Sequence, residues 1–132
     1  MKTYKVKVEV LLEPIETPFV KVSCKDEVQT MRLSDGECWV RFEFELPAGP
    51  SQLIVELLDK QRTDPTTAVI VKSVKLNDIE NIQNTYQGIY HPYGMDSRRD
   101  TYLSWNGVWI LDFTIPTYTW MHKTQGLGWI YD

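Results

Sequence analysis

The first strand of this chain can be read directly from its alternation. Tyr4, Val6, Val8, Val10 and Leu12 are apolar, while Lys5, Lys7, Glu9 and Glu13 take the opposite parity. A side-chain period of two marks a strand with one face buried and one face wet. The pattern recurs. Val20, Val22 and Cys24 alternate with Lys21, Ser23 and Lys25. Cys38, Val40, Phe42, Phe44 and Leu46 alternate with Trp39, Arg41, Glu43 and Glu45. Trp109, Leu111, Phe113 and Ile115 share one face, with Val108, Ile110, Asp112 and Thr114 on the other. Residues 53–58 (LIVELL) are more continuously apolar, as befits a strand central in its sheet. In 68–76 the parity slips near Ser73, which predicts a bulge.

Turn chemistry separates these runs. Pro14 and Pro18 bracket the first break, and residues 47–50 (PAGP) form another. Asp35-Gly36 and Asn106-Gly107 read as hairpin turns, and Asn77-Asp78 as a further turn. Residues 81–100 keep no period and are rich in Tyr, Gly, Asn and Asp; long loops of this kind are functional or packed by their own side chains. No amphipathic helix is evident, and the aromatic tail reads as strand-like. Eight or nine short strands in 132 residues predict an all-β chain, an antiparallel, jelly-roll-like sandwich forming one domain over 1–132. If the first strand is an edge, its Lys5, Lys7, Glu9 and Glu13 guard it against pairing.

Composition narrows the function. The formal charge is −4, against which a nucleic acid would have to be held, so a nucleic-acid partner is not expected. No apolar run approaches the roughly 20 residues of a membrane span, and Glu9 and Glu13 interrupt any secretory h-region. Synthesis in a reducing cytoplasm, without a signal peptide, is the expectation. Cys24 and Cys38 fall on buried parity and read as free thiols. No nucleophile elbow, phosphate loop or zinc motif is present, and neither His91 nor His122 stands in a catalytic spacing, so an enzyme is not expected.

Two residue classes remain as site candidates. Loop carboxylates can hold a hard cation, which makes Asp59, Asp64 and Asp78 candidate calcium ligands; otherwise no cofactor is expected. Eleven of the sixteen aromatic residues lie between Tyr86 and Tyr131. Trp and Tyr serve cores, protein interfaces and sugar platforms alike. Tyr86, Tyr90 and Tyr93 sit in the irregular stretch, Trp39 faces outward on its strand, and Trp120 and Trp129 lie in the tail. These six are the candidate contact residues.

The stretch LPAGPSQLIVELLDKQRTD, with the later AVIVKSVKLNDI, resembles the strand–loop–strand pattern of carbohydrate-binding-module-like sandwiches. The run from Trp105 to Pro116 (W-N-G-x-W-x-L-x-F-x-x-P), followed by WMH and GWIY, is similar to small orphan proteins of tailed phages. The resemblance implies a non-catalytic module. Its leading form is a virion accessory protein, a capsid decoration or a tail or baseplate component. It would be oligomeric or part of an assembly, bound to other virion subunits. The alternative it implies is a carbohydrate-binding module, with or without calcium, that adheres to a surface glycan.

Overall fold

The computed structural model describes residues 2–34, 36–80 and 82–125. Trp129 lies outside these residues. The described chain folds as β1 (Thr3–Ile15), β2 (Phe19–Cys24), β3 (Glu27–Arg32), β4 (Cys38–Pro47), β5 (Gly49–Leu58), β6 (Ala68–Leu76), β7 (Ile79–Glu80), α1 (Ile82–Tyr86), β8 (Ile89–Pro92), β9 (Tyr102–Leu103), β10 (Gly107–Ile115) and α2 (Thr117–Gln125). Two antiparallel sheets result. One runs β4-β1-β6, with β7 and β9 both pairing β6; the other runs β3-β2-β5-β10-β8. This is an antiparallel β-sandwich, as the alternation predicts. The two-residue strands β7 and β9 bring the count above eight or nine.

The alternating residues close the core. Val6, Val8, Val10 and Leu12 of β1 and Trp109, Leu111, Phe113 and Ile115 of β10 are all buried. They meet Val20 and Val22, Val40 and Phe42, and Leu53, Val55 and Leu57 from the neighbouring strands. The parity slip in β6 is a bulge. Leu11 pairs Ser73 and Leu12 pairs Val71, so Lys72 is the extra residue and both Val71 and Val74 face inward. β5 lies inside its sheet, between β2 and β10.

Four features depart from the sequence expectation. β1 is an interior strand between β4 and β6, so its charges guard no edge. On its outer face Glu9 is nearly buried and accepts from Arg41 Nε at 2.9 Å, with Lys7 Nζ at 3.9 Å. Asn106-Gly107 closes no hairpin, because β9 pairs β6 and β10 pairs β5 and β8; the chain changes sheets there. The same holds at Gly36, between β3 of one sheet and β4 of the other. The two-residue hairpin loops are Lys25-Asp26, where Cys24 pairs Glu27, and Asn77-Asp78, where Leu76 pairs Ile79. Asn77 and Asp78 have φ of 51° and 69°, the two positive values that a type I′ turn requires.

The fourth departure is α2. Thr117 and Met121, four residues apart, are both buried, so one face of a helical turn plugs the end of the sandwich. A period-two reading misses that spacing. The 81–100 stretch is likewise organised, into α1, β8 and an isolated bridge between Tyr90 and Arg98.

Candidate functional site

The six contact candidates scatter. Tyr90 does not belong on a contact surface: it is fully buried, and its hydroxyl donates to the Trp105 carbonyl and accepts from the Trp105 amide at 3.0 Å. β8 turns Tyr90 inward beside Trp109, its pairing partner, and Arg98 covers the ring at 5.2 Å. Trp39 is exposed on the outer face of β4, with the Lys75 ammonium 4.5 Å from its ring centre. Tyr86 is exposed at the end of α1. Tyr93 is exposed, and its hydroxyl donates to Glu56 Oε2 at 2.5 Å. That carboxylate holds the phenol neutral and pushes its pKa up to about 12.

The three calcium candidates are not brought together. Asp59 and Asp64 lie in the β5–β6 connection, while Asp78 lies beyond the far end of β6. Asp64 Oδ1 accepts from the amides of Thr66 at 3.1 Å and Thr67 at 3.0 Å, an Asx turn. A side-chain hydrogen bond with Thr67, followed by these amide bonds, lowers its pKa to about 2. Asp78 pairs Lys7 at 3.0 Å. Among the described residues no group of three or more His, Cys, Asp or Glu side chains is placed to hold a metal ion. The Asp64 carboxylate is committed to a turn and that of Asp78 to an ion pair, and the three do not form a calcium cage.

Trp120 lines a cleft. α2 turns it against Phe113, with ring centres 6.3 Å apart and planes at 68°. Together with the ends of β2, β5 and β10 it walls a cleft of about 560 Å³. Gln52 and Asp112 pair across β5 and β10, and Gln52 Nε2 donates to Asp112 Oδ1 at 2.7 Å. Beside them Ser51 points inward with its hydroxyl buried, and Oγ has no hydrogen-bond partner of good geometry; the Cys24 thiol is its weak neighbour. Burial pushes that thiol up to about 11, so Cys24 is a neutral lining group and not a nucleophile. Cys24 and Cys38 are both free, the first buried and the second half-buried. The cleft therefore offers an indole wall, an amide–carboxylate pair and an orphaned hydroxyl.

Sequence reasoning missed Ser51, Gln52 and Asp112. Strand parity places Gln52 and Asp112 on an outer face, but nothing local states that β5 and β10 lie side by side.

The fold is shared with known sugar-binding proteins. A solved structure described as vCBM60 in complex with galactobiose superposes with a TM-score of 0.57 at 13% identity, covering 80% of this chain and 96% of its own. A second vCBM60 structure, described as belonging to calcium-dependent carbohydrate-binding modules linked by circular permutation, gives 0.60 at 15% identity, covering 80% and 89%. No protein-family model matches the chain, and no curated protein matches it in sequence. At these identities the likeness establishes the fold.

Proposed function

We propose that this chain is a non-catalytic glycan-binding module, one sandwich that seats a neutral sugar in the cleft beside Trp120. The observation that carries this reading is the cleft itself, three complementary features within a fold that carbohydrate-binding modules share. A pyranose presents a face of C–H groups that lies flat on an indole. Its hydroxyls both donate and accept, which suits an amide beside a carboxylate. A buried hydroxyl left unpaired costs about 1–3 kcal/mol, and a ligand oxygen at Ser51 recovers part of it.

The probe is galactobiose, titrated calorimetrically into the full chain. Trp120→Ala is expected to weaken binding at least tenfold. Gln52→Ala, at an exposed position, is expected to weaken it several-fold with the melting temperature unchanged. Titrations with EDTA and with added calcium read whether a cation takes part; a calcium effect that survives Asp59→Asn, Asp64→Asn and Asp78→Asn would place the cation elsewhere. Absence of binding to any neutral glycan, with and without added calcium, contradicts the reading.

Placement on a phage particle, in contact with other virion subunits, is a second proposal. It rests on the sequence resemblance and on exposed aromatic residues such as Trp39, Tyr86 and Tyr118. Mass spectrometry of purified particles tests it, and absence from mature particles removes it.

A further inference from the structure

A second depression lies beside β6, on the side that carries the short strands β7 and β9. It measures about 330 Å³ and is walled by Thr85 and Tyr86 on one side and Arg99, Asp100 and Thr101 on the other. Both walls are anchored to β6. Asn84 Nδ2 donates to the Val74 carbonyl at 3.1 Å, and the Val71 amide donates to the Thr101 carbonyl at 2.8 Å.

Its polar groups are unequally satisfied. Thr85 is 3% exposed, and its Oγ1 has no hydrogen-bond partner. Asp100 accepts one bond on each oxygen, from Arg98 Nε at 3.0 Å and from the Tyr102 amide at 3.0 Å. Arg99 is exposed and spends one nitrogen, NH1, on the Tyr86 carbonyl at 3.1 Å. A guanidinium carries five N–H donors in a planar fork, so a two-pronged edge remains for an acceptor. Arg99 and Asp100 balance in charge at the lining, so what the pocket offers an acceptor is the open edge of the Arg99 fork rather than a net positive charge. The exposed ring of Tyr86 adds a flat apolar face.

We propose that this flank pocket is a subsite for an acidic sugar, a uronate whose carboxylate takes the Arg99 fork. A ring hydroxyl meets Thr85 Oγ1 and the sugar face lies against Tyr86. The fork geometry favours a carboxylate over a neutral hydroxyl, since charge-assisted bidentate pairs are about twice as strong as neutral bonds. The ligand class rests on the glycan-binding reading, but the pocket shares no residue with the Trp120 cleft.

The test compares digalacturonic acid with its dimethyl ester, each titrated into the full chain at low salt. The acid is expected to bind at least tenfold more tightly. Arg99→Gln is expected to reduce it to the level of the ester. Because Arg99 also ties down the Tyr86 carbonyl, Thr85→Val provides an independent variant. It removes only the orphaned hydroxyl, so affinity for the acid is expected to fall several-fold while the melting temperature holds or rises. Equal binding of acid and ester overturns the proposal. So does acid binding that survives Arg99→Gln, or that is lost in Trp120→Ala while Arg99→Gln leaves it intact. These outcomes leave galactobiose binding at Trp120 standing, and that binding is measured separately.

Discussion

At the residue scale, two aromatic contact candidates, one expected outward on a strand and one in an irregular stretch, end in opposite environments. Trp39 and Tyr90 both stand in strands. β4 presents Trp39 outward under Lys75, and β8 turns Tyr90 into the core. Tyr90→Phe removes both bonds to Trp105 and leaves its part-buried carbonyl short of a donor, so a loss of about 1 kcal/mol is expected in urea unfolding. Trp39→Ala is expected to cost less than about 1 kcal/mol in the same measurement, the scale of an exposed cation–π contact. Two glycines matter for the same inner layer. A Cβ at Gly88 would overlap the Trp109 ring, and one at Gly107 would lie 2.5 Å from the His91 carbonyl oxygen. Gly88→Ala is therefore expected to destabilise by about 1–3 kcal/mol through overpacking, with loss of Trp109 fluorescence resolution on unfolding curves as the readout of a loosened core.

At the element scale, the β5–β6 connection is pinned by the Asn106 side chain on the Lys60 amide and carbonyl and by the Asp64 carboxylate within its own turn. Asp64 has its pKa depressed to about 2 by the Thr67 and Thr66 bonds, from an ordinary 3.8. A depressed carboxylate contributes stability that is complete above its unfolded value and is lost as pH falls through the folded one. The expected melting temperature thus declines between about pH 4 and pH 2. Asp64→Asn, which cannot titrate, flattens Asp64's share of that decline. α2 is fastened by buried Thr117 and Met121 and by Trp120 against Phe113. Met121 is fully buried at the end of the sandwich, and Met121→Ala is expected to cost about 2–5 kcal/mol by chemical denaturation. A cost below 0.5 kcal/mol would mean that the helix does not close the core.

At the scale of the whole molecule, the layers were legible and the connections were not. Period-two runs in β1, β4 and β10 state which side chains are buried, because a strand has only two faces. They do not state which strands are neighbours. Asn106-Gly107 has the chemistry of a hairpin but spans two sheets, since its flanking strands find better partners in β6 and β5. Asp59, Asp64 and Asp78 look alike in sequence, yet strand β6 separates the last from the others. The cleft was half legible: Trp120 stood out by its type, whereas Ser51 and Gln52 come beside Asp112 only through the pairing of β5 with β10. The fold likeness is to carbohydrate-binding modules, and the proposed binding reading is tested at the Trp120 cleft.

The most direct measurement is a backbone and indole NMR titration of the full chain with galactobiose. Shift changes concentrated at the Trp120 indole N–H, Ser51, Gln52 and Asp112 are the expected result. Shift changes confined to another surface, or none at millimolar sugar, contradict the account.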